Sequence, residues 1–237
     1  MKFGWIAAVA VAGLIAAHAR ADELVIRTPL GYAGVLAGMT ASFEAATGDR
    51  ITIAGNNDTA DLVILGKEQV EAQVKAGKID AAGITDLGQV RIGFAVKAGG
   101  PKPDISTPEK LKAAVLAAKS VGLSRYASGQ FVSGELFPAL GIADQIQDRI
   151  VRIDGSVGEG VVRGEAEVGF QQMGELLQVT GLTVVGRIPK SLERVIVYTA
   201  GLATGTKVTA AAQRFIAYAK SPAAAAAYKA MDFELVK

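Results

Sequence analysis

Short apolar runs rich in β-branched residues alternate along this chain with longer stretches whose apolar positions recur every three or four residues. The runs at 24–27, 51–53, 62–65, 91–96, 121–123, 150–153, 166–170, 182–185 and 195–199 read as strands, several of them apolar on both faces. Between them, Val35, Met39, Phe43 and Ala46 fall on one helical face, and Gly48 ends that helix as a left-handed cap. Thr107-Pro108-Glu109 opens another, with threonine at the N-cap, proline in the first turn and an acid beside it, ahead of Leu111, Val115 and Ala118. Residues 207–221, and then Pro222 with the alanine run 223–227 on to Met231, predict packed helix, because alanine is the best helix former. Strand and helix in alternation imply an α/β fold with largely parallel sheets. The proline- and glycine-rich break at 99–108 marks the best boundary in the chain.

The amino end breaks this pattern. Lys2 is followed by an uncharged apolar run at 3–17 and then by Ala19-Arg20-Ala21, the form of a secretory signal peptide with cleavage expected after Ala21. The run is too short for a spanning helix, which needs about 20 apolar residues. A lipid anchor needs a cysteine, and the chain has none. The expected product is therefore periplasmic and not membrane-anchored.

Removing that segment changes the charge balance. Of 237 residues with a formal net charge of +2, Lys2, Arg20, the single histidine His18 and the single tryptophan Trp5 all lie before Asp22, and no acidic residue does. The remainder is formally neutral, so nothing argues electrostatically for nucleic acid or an anionic membrane as partner. Without histidine or cysteine it has no Ser-His-Asp or Cys-His chemistry, no imidazole or thiolate metal site and no disulfide. No catalytic residue, metal or cofactor is expected, and an enzyme ranks behind a binding protein.

Four strand ends run into polar, glycine-rich loops that open helices: 27–32, 56–59, 124–129 and 154–158. In open α/β sheets, ligands collect at such strand ends, where helix N-terminal N–H groups favour anions. Each loop taken alone also fits ordinary turn and cap chemistry. Gly158-x-Gly160-x-x-x-Gly164 lies too deep in the chain for a dinucleotide fingerprint and reads as helix capping. Asp58-x-x-Asp61 supplies too few carboxylates for calcium.

The stretch Gly164-Glu165-Ala166-Glu167-Val168-Gly169-Phe170-Gln171-Gln172, preceded by 159–163 and followed by Glu175-Leu176-Leu177, resembles the signature of molybdate-type periplasmic substrate-binding proteins of ABC transporters. The segments 91–99, 103–109, Ala127-Ser128-Gly129, 140–144 and 215–227 are similar to that family too, so the likeness covers nearly all of the chain beyond Ala21. It implies a type II periplasmic binding protein, a two-lobed clamshell in which the chain passes between lobes twice. On this sequence, residues 22–95 and 196–237 would form one lobe and 96–195 the other, with the hinge near Val96 and Val195. The resemblance further implies delivery of a small anion to an inner-membrane ABC permease.

Two places depart from the family pattern. Only residues 58–61 stand between Asn57 and the next strand, where the family usually has a helix, and Thr28-Pro29-Leu30 replaces a serine- or glycine-rich loop. Arg27 and Arg125 are also unlike molybdate sites, which use neutral donors; arginine pairs naturally with carboxylates. The reading is a monomeric solute-binding protein for a small anion, either a tetrahedral oxyanion or an organic carboxylate, whose capture is linked to lobe closure. Thr28, Asn56, Asn57, Ser124, Arg125, Ser128 and Gln171 are the expected ligand contacts, Arg125 as charge partner and the others as hydrogen-bond donors. The rival is a diverged interaction or sensory protein on the same fold, a reading favoured by the trimmed second loop.

Overall fold

A computed structural model describes residues 21–55 and 59–236. Residues 1–20 of the expected signal peptide, including Trp5 and His18, and the loop residues Asn56, Asn57 and Asp58 lie outside the described residues. The strands are β1 (Glu23–Arg27), β2 (Arg50–Ile53), β3 (Leu62–Gly66), β4 (Thr85–Lys97), β5 (Val121–Ser124), β6 (Ile150–Ile153), β7 (Val168–Gln172), β8 (Leu182–Arg187), β9 (Val195–Leu202) and β10 (Glu234–Leu235). The helices of the first half are α1 (Leu30–Thr47), α2 (Lys67–Lys75), α3 (Pro108–Ala117) and α4 (Ala127–Phe131). There follow α5 (Phe137–Ala139), α6 (Ala143–Ile146), α7 (Val157–Arg163), α8 (Met173–Leu176), α9 (Thr209–Ala219) and α10 (Ala225–Ala230).

Local chemistry accounts for the clearest helices. Tyr32, Val35, Leu36, Met39 and Phe43 form the buried face of α1, and Gly48 ends it at φ 79°, a conformation that costs glycine little. Thr107 accepts the Lys110 N–H to open α3, and Leu111 and Val115 face inward. The alanine run is packed helix, with Ala224, Ala227 and Tyr228 buried.

The sheet is mixed, not largely parallel. β1 pairs in parallel with β2 and β3, and β5 with β6 and β7. β9 is antiparallel to β3 and to the first part of β4, and β4 is antiparallel to β7, β8 and β10. The antiparallel pairs arise because β4 and β9 carry the chain between the two halves of the sheet and run against the strands they join. β4 is paired to β9 as far as Arg91, opposite Val195, and to β7 from Ile92, opposite Gln172. The exchange of partners falls ahead of the crossover expected near Val96, and Ile92, Phe94 and Val96 are all buried in the second half.

Two large hydrophobic cores result. One packs α1, α9 and α10 on β1, β3 and β9, and the other packs α3 and the helices between Ala127 and Ile146 on β4, β5 and β7. Ile196, at the start of β9, touches both. β7 also extends beyond its expected end at residue 170: Gln171 pairs with Gly93 and Gln172 with Ile92, which places both glutamines within the sheet and not in a loop.

Candidate functional site

The loops singled out by sequence sit at the carboxyl ends of β1, β5 and β6, each opening a helix. At the first, Thr28 donates its hydroxyl to the Ile64 carbonyl of β3 at 3.0 Å, which tethers the loop. Pro29 occupies the N-cap of α1 and offers no side-chain acceptor, so among the described residues no side chain caps the start of this 18-residue helix, where the Tyr32 N–H bonds the Pro29 carbonyl at 3.1 Å. Arg27 reaches back to Gln73 of α2 at 3.3 Å, its Nε is buried without a partner, and among the described residues no carboxylate faces it.

At the second loop, Ser124 and Ser128 are buried and share a hydrogen bond of 2.9 Å. Ser124 Oγ also accepts from the Tyr126 and Gly129 N–H groups, which caps α4. A Cβ on Gly129 would overlap the Ser124 carbonyl, so the close turn requires glycine here. Arg152 donates to the Ser124 and Gly129 carbonyls and holds the loop from beneath. Arg125 points outward and pairs with Asp154 at 2.6 Å, both side chains more than half exposed. The expected charge partner therefore stands on the rim, already facing an acid.

Gln171 is 1% exposed and committed at both ends. Its Oε1 accepts the N–H groups of Val157 and Gly158 at the start of α7, at 2.8 and 3.2 Å, and its Nε2 donates to Glu175. The residue expected to donate to a ligand instead caps a helix and holds a carboxylate. Among the described residues no hydrogen bond joins Thr28 to Ser124, Ser128 or Gln171.

The next residue is placed differently. Successive side chains on a strand point to opposite faces, so Gln172 turns toward the first half of the molecule, where its Oε1 accepts the Tyr198 hydroxyl at 3.0 Å. That bond orients the amide, and among the described residues Nε2 has no hydrogen-bond partner. Gly31, in the first turn of α1, lies against both groups: a Cβ there would overlap the Tyr198 hydroxyl and approach Gln172 Oε1 to 2.8 Å. An amide donor thus stands beside an uncapped helix start, an arrangement that favours an anion.

Glu175 on α8 completes the cluster. It is buried, burial lifts its carboxyl to about 7, and the Gln171 hydrogen bond opposes that rise. Burial, and after it the Glu175 charge, holds the Tyr198 phenol well above the ordinary tyrosine range. Gln172, Glu175 and Tyr198 were not anticipated from sequence; the available signal was two adjacent amides and an acid inside an otherwise apolar segment. Among the described residues no group of acids, histidines or cysteines could hold a metal ion, and no helix is long and apolar enough to cross a membrane.

Comparison with known proteins shows the family and the fold. A family model described as bacterial extracellular solute-binding protein matches residues 24–234. An aconitate isomerase from Pseudomonas sp. is 31% identical over 221 residues, spanning 86% of this chain and 84% of that protein. The periplasmic molybdate-binding protein of Azotobacter vinelandii superposes with a TM-score of 0.74 at 20% identity, over 90% of this chain and all of the other. PEB3 of Campylobacter jejuni with L-phospholactate bound gives 0.71 at 16% identity, over 89% and 99%. At such identities the structural likenesses speak for the two-lobed fold alone.

Proposed function

The chain belongs to the bacterial extracellular solute-binding proteins, and from that premise we propose that it captures a small organic polycarboxylate between its two halves. The observation that carries this reading is the free Gln172 amide beside the uncapped start of α1. Both supply hydrogen-bond donors, which suits an anionic oxygen. Arg125 on the opposite rim adds a planar, two-pronged donor, and its exchange of Asp154 for a ligand carboxylate on closure favours an organic acid over a tetrahedral oxyanion. Ser124 and Ser128 shape this rim, and Thr28 braces the other.

The expected lobes, 22–95 with 196–237 and 96–195, are supported by the exchange of strand partners on β4. In this reading the protein is a periplasmic monomer that hands its ligand to an inner-membrane ABC permease. Thermal unfolding with added tricarboxylates, dicarboxylates, molybdate and sulfate tests the capture. A ligand at ~1,000 times its dissociation constant adds about 4 kcal/mol and raises the midpoint by several degrees. A response to molybdate alone would restore the oxyanion, and no response at all would favour the interaction or sensory protein.

A second reading has its own support. The relative named as an aconitate isomerase matches nearly the full chain, and Glu175 is a buried acid able to exchange a proton near neutral pH. On that reading the captured unsaturated tricarboxylate is isomerised before release.

A further inference from the structure

The proline- and glycine-rich break at 99–108 lies within the second half, after β4 and before α3, and its Ile105 is part of the second core. With the end of α3 it walls a cavity of about 620 Å³. β5 and β7 run in parallel from this cavity, where Ser120 and Val168 stand, to Ser124 and Gln172 at their far ends. The cavity is therefore separate from the anion site. Its floor is apolar and buried, made by Val96, Ala118, Ala166 and Val168. Pro101 and Pro103 line it from the loop, Ala117 from the end of α3 and Val161 from α7.

The recess is shaped before anything enters it. Proline fixes the loop backbone, the Gly100 N–H bonds the Lys97 carbonyl at 3.0 Å, and the Ala98 N–H bonds the Gly181 carbonyl at 2.9 Å. Asp104 accepts the Ser106 N–H at 2.9 Å and the Lys110 ammonium at 2.7 Å, which pins the loop to α3. With these N–H groups spent inside the fold they form no ladder for an extended peptide, and a cavity of this size suits a small molecule.

Charge narrows the choice of molecule. Lys97 and Lys119 are exposed and line the cavity. Among the described residues the lysines in ion pairs are Lys67 and Lys110, so neither of these two ammonium groups faces an acid. Glu167 is the one acid on the described lining, and its Oε2 already accepts the Lys119 N–H at 2.6 Å. Two cations against one engaged carboxylate leave positive charge over an apolar recess, which complements a single carboxylate on an apolar body. A rigid ring gives up no internal rotation on entering a preformed cavity, which favours an aromatic acid over a flexible fatty acid.

We propose that this cavity is a second ligand site, which takes a small aromatic monocarboxylate with its ring against Val96, Val168 and the two prolines and its carboxylate at Lys97 and Lys119. Calorimetric titration with 2-naphthoate tests it, beside the neutral 2-naphthalenemethanol. Wild type should bind the naphthoate, and the alcohol should bind about tenfold or more weaker, the loss expected when a hydrogen bond to a charged group is removed. The double variant Lys97→Gln with Lys119→Gln should lose a similar factor. Ala117→Phe, which puts a ring into the recess from an exposed helix end, should reduce binding by about tenfold or more, and saturating trans-propene-1,2,3-tricarboxylate should not displace the naphthoate. Absence of binding by wild type overturns the proposal, as does equal binding of the alcohol, undiminished affinity in either variant, or displacement by the tricarboxylate, which would put the naphthoate in the anion site. Thermal unfolding confirms that each variant is folded; if Ala117→Phe is not, the lysine variant, altered only at exposed side chains, decides.

Discussion

The Tyr198 hydroxyl donates to Gln172 Oε1 at 3.0 Å and so joins β9 to β7 where the two halves of the molecule meet. Because this bond aims the Gln172 amide protons at the start of α1, Gln172→Ala should weaken ligand binding by about 1.5–3 kcal/mol, the range for a hydrogen bond to a charged group. Tyr198→Phe leaves the amide in place but unanchored and should cost less. Titration calorimetry on both variants checks the order; equal affinities in wild type and Gln172→Ala would place the anion elsewhere.

Gly31 offers a steric test of the same contact. Gly31→Ala forces a methyl group into the Tyr198 hydroxyl and toward the Gln172 amide, and should destabilise the fold by about 1–3 kcal/mol as well as weaken binding. Adding Tyr198→Phe removes the atom that is struck, so the double variant should recover part of the lost stability. Urea unfolding of the single and double variants measures this, and strict additivity of the two changes would contradict the contact.

Arg125 should separate stability from binding. Its pair with Asp154 is largely solvent-exposed, and such pairs contribute little, so Arg125→Ala should leave the unliganded melting temperature unchanged. Ligand affinity should fall by about tenfold or more, with only partial recovery in Arg125→Lys, because a point charge lacks the two-pronged fork. Equal affinities in all three proteins would put Arg125 outside the site and bring the oxyanion forward again.

Glu175 makes stability depend on pH in a defined direction. Burial lifts its folded-state value to about 7, above the ordinary glutamate value, so the native state holds a proton that the unfolded chain has already lost. The contribution is fully present below the unfolded value of about 4.5 and is lost as pH rises through about 7. Melting temperatures between pH 5 and pH 8 should therefore fall more for wild type than for Glu175→Gln, which cannot ionise. Parallel curves for the two proteins would show that Glu175 does not titrate in this window.

What the sequence determined by itself is what neighbours along the chain decide. Gly48 ends α1, Thr107 and Pro108 open α3, and the apolar runs become strands, because caps, turn conformations and side-chain periodicity act within a few residues. The whole-chain resemblance carried the two-lobed fold as well. Tertiary structure alone decided the mixed strand directions and the exchange of partners at Arg91 and Ile92, since strand pairing joins residues as distant in sequence as Gln89 and Glu234. It also separated Gln171 from Gln172. The two are chemically identical and adjacent, and strand alternation requires only that they face opposite ways. Which of them caps α7 and which keeps a free amide beside α1 depends on Val157, Gly158, Tyr198 and Gly31, brought to β7 from distant parts of the chain by the packing of two cores.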